Sequence, residues 1–194
     1  GRLIDRAIRP RFNHDMRNEI QVVATVLSFD RENDPDMVAM FGASLALLIS
    51  DIPWDGPIAG VRVSRDGSHM IAHPTYSERT AGDFDIAIAG TKNRINMIEG
   101  GARIVPEAQI SEAVAFGFQA MQELIAFQEE IAAEVDAGGG RLRVLRQGLG
   151  AAGRRRGRLL RMGGELRLQL HPHRVEGLVV GAQRLGLPRR ALSG

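Results

Sequence analysis

The chain has 194 residues, 44% of them hydrophobic, which is enough to bury a core in one or two small domains. It lacks cysteine, any apolar run of membrane-spanning length and a start that resembles a secretory signal, so we expect a cytoplasmic protein without disulfides, thiolate metal sites or a membrane partner. The net charge of +2 hides two unlike parts: residues 1–138 carry 12 cationic and 21 acidic side chains, whereas residues 139–194 carry 13 arginines and two acids.

Residues 3–9 form the first predicted element, a short helix with its apolar side chains on one face. Arg2, Arg6 and Arg9 fall at i, i+4 and i+7, so a helix presents them as one stripe. Guanidinium groups at this spacing can follow a phosphate backbone. Because Asp5 lies within reach of all three arginines, a ladder of surface ion pairs is the alternative interpretation.

A strand and a helix follow, both predicted to be buried. Residues 19–29 are rich in β-branched side chains, which predicts a strand buried on both faces. Asp34 and Pro35 supply a helix N-cap and a proline suited to the first helical turn. Residues 37–49 are apolar almost all round, which predicts a helix inside the protein.

The middle of the chain predicts several strands before a last, long helix. The predicted elements are strands over 58–63 and around 69–72, joined by a hairpin turn at Asp66 and Gly67, strands over 83–89 and 93–99, and a helix over 108–135. Strands combined with two long helices predict an α+β fold, in which a mixed sheet packs on helices, rather than a regular βαβ repeat.

The composition changes abruptly after residue 138. Residues 139–194 contain no Ile, Thr, Asp, Asn, Lys, Phe, Tyr or Trp, although residues 1–138 contain 15 Ile, and Arg, Gly and Leu dominate instead. Selection for a core or for a solvated surface would hardly remove all these residue types together. Our hypothesis is out-of-frame translation of a GC-rich gene; the alternative is a genuine basic low-complexity tail that binds the RNA backbone.

Several blocks of the front portion occur in the order and spacing of one known family. They are Gly1–Pro10, Arg17–Ser28, Asn33–Asp36, Gly42–Ser44, Gly56–Val63, His73–Thr75 and Asp85–Thr91. Together they resemble the first RNase PH-like core domain of bacterial polynucleotide phosphorylases, over about residues 1–136.

The resemblance implies a division of the chain. Residues 1–105 would be part of the first RNase PH-like core domain, residues 106–137 a long helix leading into the family's helical linker, and residues 138–194 the basic tail. The family's first strands would precede Gly1. Its catalytic second core domain and its RNA-binding modules would follow the linker, and nothing after residue 138 resembles them.

The activity that the resemblance implies is phosphorolysis of RNA from its 3′ end in mRNA degradation. Inorganic phosphate and RNA are the substrates, nucleoside diphosphates are released, Mg²⁺ assists the attack, and three identical subunits form a ring. Because the catalytic domain has no counterpart here, we expect this chain alone to be inactive, to bind no Mg²⁺ and to contain no catalytic residue. The alternative is a non-enzymatic RNA-binding module or a scaffold for trimer assembly.

The resemblance also assigns candidate sites. The family's arginines that match Arg2, Arg6 and Arg9 lie near the RNA path, which makes these three residues RNA-binding candidates. In the family's catalytic domain two aspartates six residues apart serve in metal binding. Asp85 matches the later one, but Arg79 stands at the earlier position, so Asp85 is at most half of a metal site.

Two further features of the sequence bear on catalysis. Asp83 and Asp85 flank one residue at the start of a strand, where paired carboxylates could hold Mg²⁺. The catalytic domain's serine-rich phosphate-binding segment is replaced here by Asn33–Asp36, whose acids would repel phosphate, so we interpret that segment as a helix cap.

Overall fold

The computed structural model describes residues 1–17, 19–137, 166–168 and 178–184. The elements are, in chain order, α1 (Arg2–Ile8), β1 (Ile20–Val26), α2 (Pro35–Leu48), β2 (Ala59–Asp66), β3 (His69–Ala72), α3 (Tyr76–Ala81), β4 (Phe84–Gly90), β5 (Ile95–Ala102), α4 (Glu107–Ala137), β6 (Leu166–Leu168) and β7 (Leu178–Arg184). A short 3₁₀ turn, Arg9–Arg11, continues α1.

A four-stranded sheet in the order β3-β2-β4-β5 forms the centre of the fold. The α+β class is confirmed, but the sheet is antiparallel in every pair, where we expected mixed strand directions. Short connections explain the difference: Gly67 and Ser68 join β2 to β3, and residues 91–94 join β4 to β5, which only antiparallel neighbours allow. Gly67 has φ +57°, a conformation that favours glycine, so the predicted hairpin is present with its loop one residue later.

The pleat of the strands separates two cores. Along β4 the side chains of Phe84, Ile86 and Ile88 belong to a cluster that α4 covers, and those of Ala87 and Ala89 belong to a cluster that α1 and α2 cover. Residues alternate between the two faces of a strand, so one buried strand supplies both clusters. The sheet therefore lies between α4 on one face and α2 on the other.

Helix α2 begins as the sequence predicts. The Asp34 side chain accepts a hydrogen bond of 3.2 Å from the backbone N–H of Asp36, and Pro35 occupies the first helical position. Ten of the 14 residues of this helix are buried, which confirms its interior position.

Helix α4 approaches the sheet closely at Gly117. A Cβ atom built at that residue would lie 2.6 Å from Ile88 Cδ1 and 2.9 Å from Val63 Cγ2, so only glycine fits here without a shift of these two side chains. Farther along, the fully buried Gln128 donates to the backbone carbonyl of Ile58 (2.9 Å) and accepts from the Ser44 hydroxyl (2.6 Å). This side chain joins α4 to α2 and to the start of β2.

Strand β1 departs from the prediction in its burial. Ile20 and Val22 pack against the α2 cluster, but most other residues of β1 are exposed, with Val23 51% and Val26 43% exposed. The prediction of burial on both faces was therefore wrong, because among the described elements α2 packs on one face of this strand and the other face stays exposed. Its hydrogen-bonded neighbour is β7, in a separate sheet of order β1-β7-β6. The other residues after 137 lie outside the described part, so the two tail hypotheses are not tested.

Helix α3 was not predicted. Thr75 accepts from the backbone N–H of Glu78 (3.4 Å), and the Glu78 carboxylate accepts from the backbone N–H of Thr75 (2.7 Å), which is a capping box. The spacing Thr75-x-x-Glu78 was the sequence signal that could have revealed this helix. None of the described helices is long and apolar enough to cross a bilayer.

Candidate functional site

Five charged side chains meet at the N-terminal end of α2. Asp34 and Asp36 come from the cap and first turn of this helix, Arg62 from the middle of β2, Arg79 from α3, and Asp85 from the second position of β4. We call these five residues the ion-pair network. Chain segments far apart in sequence supply them, and the antiparallel pairing of β2 with β4 places Arg62 close to Asp85.

Arg62 is the centre of the network. Its Nη1 donates to both carboxylate oxygens of Asp85 at 3.1 Å, and its Nη2 donates to Asp36 Oδ2 and lies 3.8 Å from Asp34 Oδ2. Arg79 completes a ring, since its Nη1 contacts Asp34 at 2.7 Å and its Nη2 contacts Asp85 at 2.7 Å. Two guanidinium groups therefore bridge three carboxylates, which leaves a formal charge of −1.

The charged side chains of the network are largely buried, which strengthens their electrostatic interactions. Arg62 is only 9% exposed, and the side chains of Asp36 and Asp85 are 20% and 26% exposed. Burial raises the pKa of Asp36 above its ordinary value, and the hydrogen bond and charge of Arg62 offset this only in part. For Arg62, burial alone would lower the pKa, but the hydrogen bonds and charges of Asp36 and Asp85 outweigh it and raise the pKa.

Two polar atoms of the network remain unsatisfied. Asp36 Oδ1 and Arg62 Nε are buried and have no hydrogen-bond partner among the described residues. An unpaired buried acceptor or donor costs about 1–3 kcal/mol. The network thus keeps one acceptor and one donor without protein partners.

The described residues do not fit the divalent cation that the family resemblance implies. Guanidinium groups already neutralise the carboxylates of Asp34, Asp36 and Asp85, and their positive charge opposes a second cation. In the described part of the chain no group of three or more His, Asp or Glu side chains is placed to hold a metal ion. Asp83 does not join Asp85, since it pairs with Arg65 at 2.6 Å.

The arginine stripe of α1 is engaged in ion pairs over much of its length. Arg9 makes a bidentate contact with Asp5 at 2.8 Å, and Arg6 pairs with Glu99 of β5. Arg2 is exposed, with no ion-pair partner among the described residues. Among the described residues Asp5 pairs with Arg9 and not with the other two arginines, and binding of RNA by Arg2, Arg6 and Arg9 stays a prediction.

Two consecutive stretches of the chain match one known protein family. Residues 1–53 match domain 1 of the 3′ exoribonuclease family, and residues 56–120 match domain 2 of the same family. The chain belongs to the 3′ exoribonuclease family. Members of this family named polyribonucleotide nucleotidyltransferase share high identity with it. The proteins from Exiguobacterium sibiricum, Anoxybacillus flavithermus and Enterococcus faecalis are 53%, 52% and 52% identical over 135 residues, 70% of this chain.

The chain spans about a fifth of the length of these 3′ exoribonuclease family relatives, 18–19% of each. The matched region contains the whole ion-pair network. The segment Asn33–Asp36 and the residues Arg79 and Asp85, separate in sequence, lie together in the structure. These are the positions that the resemblance aligns with the phosphate-binding segment and the metal-binding aspartates of the catalytic core.

Sequence reasoning missed Arg62, the residue that holds the network together. The signal was present, because a charged residue inside an otherwise apolar strand is rarely buried unless it is paired. The partners could not be read in the same way, since Asp36 and Asp85 lie 26 and 23 residues away along the chain.

Proposed function

We propose that this chain is a non-catalytic core module of a polyribonucleotide nucleotidyltransferase, the enzyme named among its relatives. The whole enzyme would degrade RNA from the 3′ end in the cytoplasm, using inorganic phosphate and Mg²⁺ to release nucleoside diphosphates. The module would support a ring of three subunits and would not carry out the chemistry itself.

The observation that carries this proposal is the ion-pair network. Phosphorolysis needs a place where phosphate can approach a metal ion, and carboxylates and guanidiniums have opposite preferences for these two ligands. Here Arg62 and Arg79 take the carboxylates that a metal would need, and Asp34 and Asp36 occupy the segment where phosphate would bind. The residual charge of −1 opposes phosphate, and the guanidinium groups already pair with the carboxylates that a metal ion would need.

The test is phosphorolysis of poly(A) by the purified chain. With Mg²⁺ and inorganic phosphate present we expect no release of ADP above the level without phosphate, whereas a full-length polyribonucleotide nucleotidyltransferase run in parallel releases it. The proposal would be overturned by release of ADP that meets three conditions. The release depends on phosphate, its specific activity stays constant as the chain is purified, and it is lost in Asp85→Asn.

Contact with RNA is the second part of the proposal and rests on the stripe of Arg2, Arg6 and Arg9. Three phosphate contacts to a single strand would change the slope of log affinity against log salt by about 2. We expect the triple replacement of these arginines by alanine to reduce that slope, while Arg94→Ala, which removes an exposed arginine elsewhere, leaves it unchanged. An unchanged slope in the triple variant would assign the stripe to surface ion pairs alone.

The origin of the tail is tested on DNA. If residues 139–194 result from a shifted frame, one of the other two frames past codon 138 will encode a continuation that resembles the relatives. If neither does, the basic tail is genuine, and its deletion should then remove a large salt-dependent part of the RNA affinity.

A further inference from the structure

A cavity of about 320 Å³ opens beside the ion-pair network, between the start of α2, the middle of β2 and the second half of α4. Its size falls at the lower end of the range for small-ligand sites. Its walls differ in chemistry: apolar and aromatic side chains line one side, and charged side chains of the network line the other. A ligand that fits must therefore combine a flat apolar body with one polar edge.

The apolar wall contains an aromatic pair. Phe41 and Phe127 have ring centroids 6.1 Å apart and an interplanar angle of 20°, so the rings are close to parallel. Phe41 is buried, but Phe127 is 46% exposed although it lines the cavity. Leu124, one turn earlier in α4, extends the apolar surface. A half-exposed phenyl ring fixed by a buried one offers a flat platform on which another ring can stack.

The polar residues that line the cavity are Asn33, Asp34, Asp36, Arg62 and His73. These side chains include the unsatisfied Asp36 Oδ1, an acceptor, and the unsatisfied Arg62 Nε, a donor. Ionised carboxylates only accept hydrogen bonds and a guanidinium only donates them, so this wall favours an uncharged ligand edge that places an N–H donor beside an acceptor. It disfavours phosphate or another anion, because the carboxylates would repel it.

We propose that this cavity binds an amino-substituted nucleobase, with adenine as the best fit. The ring would stack on Phe127, its exocyclic amino group would donate to the carboxylates of Asp36 and Asp34, and its adjacent ring nitrogen would accept from the side of Arg62. For this contact the Asp36 carboxylate would rotate so that its unpaired oxygen, buried in the unliganded chain, faces the base. Sugar and phosphate would remain outside, toward solvent. This goes beyond the proposed function, since a base can bind here whether or not the chain takes part in phosphorolysis.

The experiment measures binding of adenosine to the full-length chain by saturation-transfer difference NMR and by isothermal titration. We expect adenosine to bind, and Phe127→Ala to weaken it about tenfold through loss of stacking. The matched control is Phe29→Ala, which removes a ring of similar exposure (42%) that stacks edge-on against Tyr76, outside the cavity. Thermal unfolding of each variant ensures that a loss of binding is not a loss of folding.

Two ligand comparisons test the polar edge and the source of the base. N6,N6-dimethyladenosine keeps the ring but loses the amino donors, so we expect it to bind at least about fivefold more weakly than adenosine. A short oligoadenylate carries the same base on a phosphate backbone, and we expect it to bind no more tightly than adenosine. The proposal is overturned if adenosine does not bind, if Phe127→Ala has no larger effect than Phe29→Ala, if the dimethyl compound binds equally well, or if only the oligonucleotide binds.

Discussion

The two faces of the central sheet are built from the same strands but hold together in different ways. On the α4 face Phe84, Ile86 and Ile88 meet an apolar helix surface, and the contact is close-packed around Gly117. On the α2 face the same strand offers Asp85 first and small alanines after it, and the ion-pair network and the cavity lie at that end.

The difference shows how the pleat of a strand separates stability from binding chemistry. The cluster on the α4 face consists of apolar side chains, so the stability of this face comes mainly from buried apolar area and packing. The α2 end buries charge, which stabilises little by itself but is costly to disturb. Substitutions on the two faces should therefore differ in how much they lower the free energy of unfolding, in the pH dependence of that loss and in their effect on binding.

Replacement of a core residue on the α4 face should have the largest effect. Ile125 is 1% exposed, and Ile125→Ala should lower the free energy of unfolding by about 2–5 kcal/mol through lost transfer energy and an unfilled cavity. Urea denaturation followed by circular dichroism measures it. Glu123→Ala, at an exposed position of the same helix, should change the stability by less than about 0.5 kcal/mol. Equal effects of both would contradict the assignment of α4 to the core.

Breaking the network at its centre should come next. Arg62→Met leaves Asp36 without its arginine partner and Asp85 with Arg79 alone. The cost should be about 2–3 kcal/mol, below that of a fully buried pair because both carboxylates are partly exposed. Arg65→Met is the control, since Arg65 lies in the same strand but pairs with the half-exposed Asp83. If Arg65→Met costs as much as Arg62→Met in urea denaturation, the network has no special role.

The hydrogen bonds of Gln128 join the two faces. Gln128→Leu leaves the Ile58 carbonyl and the Ser44 hydroxyl with fewer partners, and we expect a loss of about 1–3 kcal/mol. A double-mutant cycle with Ser44→Ala measures the coupling. Gln122→Leu, which removes only a hydrogen bond to its own helix, should cost less. Additive effects of Ser44→Ala and Gln128→Leu would show that the two side chains do not act together.

The smallest effect should appear only when the pH is varied. Burial raises the pKa of Asp36 above the ordinary 3.8, so between 3.8 and the raised value the folded state holds a proton that the unfolded state releases. The stability from this group is fully present below pH 3.8 and is lost as the pH rises through the folded pKa. The stability of the natural chain relative to Asp36→Asn should thus fall with pH in that window. A relative stability that rises there would contradict the raised pKa.

The sequence predicted correctly those features that depend on residues close together along the chain. The cap at Asp34, the proline after it, the apolar α2 and the hairpin at Gly67 all follow from local chemistry, and all are present. The burial of β1 was misjudged because β-branched residues report a preference for extended backbone, not how many faces a neighbour covers.

The candidate site was only half predictable for a related reason. Arg79 and the acids Asp34 and Asp36 were visible as departures from the family pattern, and Asp85 as a match to it, so the sequence predicted at most half of a metal site at Asp85. That Arg62 bridges them depends on the register of β2 against β4, and no pattern in the sequence fixes that register. The cavity likewise depends on where α4 packs along the sheet, because this position brings Leu124 and Phe127 beside α2.

Arg62 and Arg79 are covalently part of the protein, which sets their positive charges apart from those of a bound ion. A metal ion exchanges with solvent, so chelators or magnesium depletion can remove it and loosen what it holds. The guanidinium groups cannot be extracted in this way. The conformation at this end of the molecule should therefore not depend on the concentration of divalent cations. Because Arg62 is buried, salt should also screen its ion pairs only a little.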